Sequence, residues 1–142
     1  MLASCNKIDL FERTAVIPGH SWKSDFKPSF SFKIEDSVHT YNAYIIVRHS
    51  DAYKYQNIYM NLQVKYPGVD TAIAEKINVQ LADNGKGWYG SGMDDIWDLR
   101  YPINKKPIHL RKGDYSFTLE QIMRDDPLPD VMNVGIRVEK AD

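Results

Sequence analysis

Ile58-Tyr59-Met60-Asn61-Leu62-Gln63-Val64-Lys65-Tyr66 is the stretch that decides the fold. Ile58, Met60, Leu62, Val64 and Tyr66 alternate with Tyr59, Asn61, Gln63 and Lys65. Successive side chains of a strand point to opposite faces, so this period of two describes a strand with one face in a core and one in water. The same period recurs outward from it. Phe30, Phe32 and Ile34 alternate with Ser29, Ser31 and Lys33, and Ile73, Ile77, Val79 and Leu81 face away from Ala74, Lys76, Asn78 and Gln80. Further strands are expected at residues 108–110, at Tyr115, Phe117 and Leu119, and at Val134, Ile136 and Val138. Residues 41–49 break the alternation with Tyr44-Ile45-Ile46-Val47, which predicts a strand covered on both faces.

Pro67-Gly68, Asn84-Gly85, Lys112-Gly113-Asp114 and Pro127-Leu128-Pro129 separate these runs as turns. The pattern predicts about seven or eight strands. The one helical candidate is a single turn near residues 93–99. Many short strands with regular turn signals indicate an all-β protein, an antiparallel β-sandwich, with the jelly roll as one arrangement of it. Residues 1–14 read as an N-terminal tether and residues 15–142 as a single sandwich domain.

The 142 residues suffice for one sizeable core. Eighteen Lys and Arg against 19 Asp and Glu give a formal net charge of -1, so no overall field favours nucleic acid or an anionic membrane surface as partner. No apolar run approaches the roughly 18 residues of a spanning helix. Nine Tyr, three Trp and five Phe suit strands and binding surfaces better than helices.

A single cysteine excludes an intramolecular disulfide. A lone Cys is ordinarily a small buried apolar residue, but Cys5 precedes any segment able to bury it. Leu2-Ala3-Ser4-Cys5 matches a bacterial lipobox: an apolar residue, two small ones, and the cysteine whose thiol carries the lipid. A signal of this kind also needs a charged n-region and an apolar stretch of about 7–15 residues before the cleavage site. Only residues 1–4 precede Cys5, so the precursor is expected to be longer than the sequence given.

Chemistry is sparse. His20, His39, His49 and His109 have no second His or Cys at zinc-ligand spacing. His49-Ser50-Asp51 contains the residue types of a triad, but adjacency in sequence is not triad geometry, and the segment reads as a turn. Asp94, Asp95 and Asp98, then Asp125, Asp126 and Asp130, lack the ligand alternation of an EF-hand loop and suit caps and turns. Glu35, Glu75, Glu120 and Glu139 show no pairing legible as that of a glycosidase. No catalytic residues, cofactor or metal are therefore expected, and the chain is expected not to be an enzyme.

The richest segment is residues 81–98, where Gly85, Gly87, Gly90 and Gly92 bracket Trp88-Tyr89 and Trp97 follows. Glycines permit positive φ and tight turns around large rings. On one account Trp88 plugs an end of the sandwich. On the other, Trp88, Tyr89 and Trp97 form a partner-binding surface that Trp22, Tyr53 and Tyr55 extend. Packing is expected to hold Trp88, leaving Tyr89 or Trp97 freer to meet a partner.

Taken in order, the pieces resemble the gliding-motility-associated lipoprotein GldH family of the Bacteroidetes. The likeness rests on the Leu-Ala-Ser-Cys lipobox, Trp22, Ser29-Phe30-Ser31-Phe32, and Tyr41-Asn42 leading to Val47-Arg48-His49. It continues through Tyr55-Gln56-Asn57-Ile58-Tyr59, Leu81-Ala82-Asp83 and Gly87-Trp88-Tyr89-Gly90-Ser91-Gly92. Glu120-Gln121, Met123-Arg124 and Val134-Gly135-Ile136-Arg137-Val138-Glu139 complete it. The resemblance implies a lipid-anchored envelope protein, on the periplasmic side or at the outer membrane, associated with gliding motility and the linked secretion machinery. Family members also occur in Bacteroidetes that do not glide. The family has no assigned reaction, cofactor or ligand site, so only the lipidated cysteine maps, onto Cys5. A structural or assembly role through binding other envelope proteins is the first expectation. A carbohydrate-binding module is the alternative, since exposed aromatics on a sandwich suit sugar stacking.

Overall fold

The computed structural model describes residues 10–141, and Cys5 lies outside them. Among these residues eight strands of six residues or more form the body. They are β1 (Leu10–Val16), β2 (Ser29–Ile34), β3 (Thr40–Ser50), β4 (Asn57–Lys65), β5 (Ile73–Gln80), β6 (Ile96–Pro102), β7 (Gly113–Gln121) and β8 (Val131–Lys140). Two antiparallel sheets result, ordered β1-β8-β3-β6 and β2-β7-β4-β5. Strand 1 pairs with 8, 2 with 7, 3 with 6 and 4 with 5. The chain is thus one long antiparallel ribbon, turned back between β4 and β5 and wound over itself. That is a jelly-roll sandwich, with its two sheets facing across a common core.

The core is one apolar cluster drawn from both sheets. Phe11 of β1 meets Phe32 of β2 across the gap at 5.0 Å between ring centroids, and Phe32 stacks on Tyr115 of β7 at 5.5 Å. In β4, Ile58, Met60 and Leu62 are buried and Val64 is partly so, as the alternation predicts. Strand β3 is central in its sheet and Ile45, Ile46 and Val47 are all buried, but of its outward residues Asn42, Tyr44, Ile46, Arg48 and Ser50 only Ile46 is, so the expected cover on both faces is not found in this sheet. Its outer face carries charge: Arg137 pairs with Glu12 and Glu139, and Tyr44 donates to Glu139 at 3.2 Å.

Four further expectations need correction. The tether does not run to residue 14, because Leu10–Val16 is a strand paired with β8 along its whole length. An edge strand over an already filled core needs few apolar residues, so its pattern is weak. The helical turn near residues 93–99 is instead a hairpin, Ser91–Met93 against β6, with Asp94 taking the positive φ of the turn. Ile73 is exposed, since β5 begins beyond the rim of the core. Residues 108–110 give only the two-residue pair Ile108–His109, lying against β3.

β1 and β8 are antiparallel, with Leu10 opposite Glu139, so the described chain begins at the end where β8 leaves. This near end carries the turns at 35–39, 66–72 and 103–112. The far end carries those at 51–56, 81–95 and 122–130. Gly135 is what lets β1 close on β8. A Cβ there would lie 2.2 Å from the Arg13 carbonyl oxygen and 2.6 Å from Thr14 Cγ2. Gly135→Ala should therefore cost about 1–3 kcal/mol, as overpacking does. Urea unfolding should show a lower midpoint at unchanged slope, and a midpoint equal to the parent's would mean that β1 has room to shift.

Candidate functional site

The far end is built from the 81–98 segment and the loops beside it. Ala82–Asp83 pairs with Gly87–Trp88, and the Asp83 carboxylate holds the connecting turn. Its Oδ1 accepts the N–H groups of Gly85 (2.9 Å) and Lys86 (2.6 Å), and its Oδ2 accepts the Tyr89 hydroxyl (2.9 Å). These bonds, led by that from Lys86, hold the Asp83 carboxyl below the usual carboxylate range. The Gln56 amide donates to Asn84 Oδ1 at 2.6 Å and ties the turn to the neighbouring loop.

Two glycines answer to close approach. A Cβ on Gly90, at φ 92°, would fall 2.0 Å from the Asp98 carbonyl oxygen. A Cβ on Gly92 would fall 2.7 Å from the Trp97 ring, which therefore lies on the hairpin backbone. The hairpin is tied to β3 by Arg48, whose guanidinium meets Asp98 at 3.0 and 3.2 Å, and by the Asp51 N–H to the Asp95 carbonyl at 2.8 Å. At its tip Met93 is 78% exposed.

Beneath the segment His49 is fully buried. Its Nδ1 bonds the Ser50 carbonyl at 2.8 Å, which fixes Nδ1 as the protonated nitrogen. Nε2 is buried with no hydrogen-bonding neighbour. The imidazole packs against Trp88 at 4.6 Å and Tyr53 at 5.8 Å between ring centroids. Ser50 Oγ accepts the Ala52 N–H, so the His49-Ser50-Asp51 run is turn geometry. Burial lowers the His49 pKa, while the Ser50 carbonyl and Asp98 act in the opposite direction more weakly. Sequence gave no sign of His49's place here; its position in the apolar period of β3, two residues beyond Val47, was the available signal.

Trp88, Tyr89 and Trp97 are thus brought to one end, each half-buried. Trp88 is held by His49 and Tyr53, Tyr89 by Asp83, and Trp97 by Gly92. Trp22 and Tyr53 do not extend a surface. Both are in the core, Trp22 donating Nε1–H to the Phe26 carbonyl at 2.7 Å. Tyr55 is half-buried and donates to Asp125 at 2.8 Å. Three carboxylates of the acidic runs have partners of their own: Asp98 meets Arg48, Asp125 also meets Lys54 at 3.0 Å, and Asp126 accepts the Ser24 hydroxyl at 2.6 Å. Among the described residues no three His, Cys, Asp or Glu side chains are grouped to hold a metal ion.

The buried imidazole has a pH consequence. A base whose folded pKa lies below its unfolded value, near 6.5, is protonated more readily when unfolded. Its neutral, fully stabilising form prevails above that value, and stability is lost as pH falls from about 6.5 toward the folded pKa. The thermal midpoint should therefore fall between about pH 7 and about pH 5. His49→Phe, whatever its own stability, should show a flatter profile in that window. An unchanged slope in the variant would assign the pH dependence to other groups. Asp83 and Asp125, held below the usual range, act only at lower pH.

The GldH lipoprotein family model matches residues 9–138. The chain is 24% identical over 149 residues to the gliding motility lipoprotein GldH homolog of Christiangramia forsetii, covering all of this chain and 90% of that protein. It is also 24% identical to the gliding motility lipoprotein GldH of Flavobacterium johnsoniae, over all of this chain and 91% of that one. Among solved structures it is similar to the infectious bursal disease virus VP2 subviral particle, at 12% identity and a TM-score of 0.37. That match covers 92% of this chain and 30% of the viral one. The near-complete family match places the chain in the GldH lipoprotein family, among the lipid-anchored proteins of the cell envelope.

Proposed function

We propose that this lipoprotein has a structural or assembly role in the envelope, serving gliding motility, and that it acts by binding another envelope protein through its far end. The observation that carries this reading is Met93, a large apolar side chain 78% exposed on a hairpin held from below by Arg48–Asp98, Asp51–Asp95 and the Trp97 ring. An exposed apolar tip on a pre-ordered support loses little conformational entropy on docking, and Met adapts to irregular partner surfaces. The rings of Trp88 and Trp97 are engaged by His49 and Gly92. A sugar platform presents a flat aromatic face, whereas the most exposed large apolar side chain among the described residues is the aliphatic Met93, which favours a protein partner over a glycan. In this reading Cys5 carries the lipid, and the jelly roll needs no active site.

Two measurements test it. Expressed from the full precursor, the protein should incorporate labelled fatty acid, and Cys5→Ser should abolish the label and release the protein from membranes. Acyl label retained by the variant would place the anchor elsewhere. Cross-linking and pull-down from native envelopes should capture one dominant partner, and Met93→Asp should lose it while melting like the parent, a hot-spot loss of at least about 2 kcal/mol. Equal capture by parent and variant would move the contact away from the hairpin.

A further inference from the structure

The near end has a chemistry of its own. Residues 104–112 contain Lys105, Lys106, Arg111 and Lys112 and no carboxylate, and all four cations are exposed. The loop is held in place rather than free. Asn104 Oδ1 accepts the Ala43 N–H at 2.8 Å, and its amide donates to the carbonyls of Tyr41 (3.2 Å) and Lys106 (2.7 Å). Arg111 Nη2 donates to the Pro67 carbonyl at 2.9 Å, joining the loop to the 66–72 turn. On this joined surface stand apolar tips: Val38 is 73% exposed, Ile108 44% and Val69 41%. Tyr66 stands beside them, its ring edge-on to Tyr115 at 5.8 Å, which fixes it against the core. This end also carries four carboxylates, Glu35, Asp36, Asp70 and Asp114, against six cations once Lys33 and Lys65 at the ends of the adjoining strands are counted with the loop's four. The far end has the opposite bias: its turns at 51–56, 81–95 and 122–130 carry seven carboxylates, Asp51, Asp83, Asp94, Asp95, Asp125, Asp126 and Asp130, against Lys54, Lys86 and Arg124.

We infer that the near end is a membrane-docking face, whose cations meet anionic phospholipid headgroups while Val38, Val69, Ile108 and Tyr66 enter the interface. The inference rests on the reading of Cys5 as the anchor, and reach then decides the orientation. The five steps from Cys5 to Leu10 span at most about 18 Å when extended, whereas the eleven residues of β3 run roughly 36 Å. The described chain begins at the near end, so an acyl chain at Cys5 keeps that end at the bilayer and the far end projecting. The acyl chains of a lipobox cysteine anchor firmly, and a basic patch beside them adds attraction to anionic headgroups. Aromatic and long cationic side chains settle at the headgroup level. The acidic far end is repelled from the same surface, so charge and tether orient the domain in the same sense. The near end then holds the membrane and leaves the Met93 hairpin free for its partner.

The test couples the full chain, through its one thiol at Cys5, to a maleimide-bearing lipid in vesicles, so it is independent of whether cells lipidate that residue. On equimolar phosphatidylcholine and phosphatidylglycerol, amide exchange over residues 66–73 and 104–112 should slow relative to the uncoupled chain, and less so in high salt. On phosphatidylcholine alone the slowing should be weaker. Each cation at an anionic surface is worth about a fivefold factor, so Lys105→Glu/Lys106→Glu should reduce the protection at least about tenfold. Val69→Asp/Ile108→Asp should reduce it as well, and Met93→Asp should not. The inference is overturned by exchange at both stretches identical to the uncoupled chain's, by equal slowing on neutral vesicles, or by protection that includes residues 91–98. Acyl label retained by Cys5→Ser in cells would sink the Cys5 reading while leaving this result intact.

Discussion

The last strand of the fold lies between the first and the third, and most else follows from that. β8 donates and accepts on both sides, to β1 along Leu10–Val16 and to β3 from Tyr41 to His49. Half of one sheet therefore cannot form until the C-terminal segment is present, and the contacts that close the core are distant in sequence. Such loops must be closed before they yield stabilising contacts. Gly135 marks the tightest point of the arrangement, where no side chain fits between β8 and the backbone of β1. The same pairing also gives the molecule its polarity: it puts the beginning of β1 and the close of β8 at one end, and every long turn of the aromatic segment at the other.

The far end shows how a glycine-rich segment becomes rigid without a large core. Ordering residues 81–98 costs backbone entropy, and three separate devices offset it. Asp83 bonds two backbone N–H groups and the Tyr89 hydroxyl. The Trp88 ring packs on His49, and Gly90 and Gly92 allow the hairpin to lie directly on β6 and the Trp97 ring. The imidazole at the base is buried with one nitrogen satisfied by its own strand, so the packing depends on its staying neutral. A polar ring in such a place fixes the end of the sandwich under neutral conditions and loosens it in acid.

Strands such as β4 and β7 were legible in sequence because their inner residues touch the core and their outer ones do not. β3 was legible as a strand but not as a doubly covered one, because its apolar run comes from the inner residues plus Ile46 alone on the outer face, and the jelly roll was within the expected class. What stayed hidden has one common physical cause: elements whose partners are distant in sequence carry little of their own signal. β1 shows almost no apolar period, because only Phe11 and Ala15 pack inward while Arg13, opposite buried Ile136, is exposed and lies over the Phe11 ring at 5.6 Å. The hairpin at 91–98 resembled a helical turn because Asp94, a non-glycine residue, takes the positive φ. Trp22 and Tyr53 looked like surface aromatics, and only the fold reveals that they fill the core. The polarity of the two ends could not be read at all without the topology, since loops that share an end lie far apart in the chain.

That polarity also bears on how a partner meets the protein. A sandwich leaves open edges, and open edges invite strand addition from another chain. Of the edge strands β1, β2, β5 and Ser91–Met93, two carry a charge at an inward register position: Arg13 of β1 opposite Ile136, and Glu75 of β5 opposite Leu62. A strand added beside either would have to bury or displace that charge, which costs far more than the new ladder bonds return. These two edges are thereby made poor docking sites, while the ends present ordered side chains: Met93 beside the Gly92–Trp97 contact at one, Tyr66 edge-on to Tyr115 at the other. Contacts made end-on have a further property that edge pairing lacks. Two ends about a strand's length apart can be occupied at once, so a domain held at a membrane by one end remains fully available to a protein at the other.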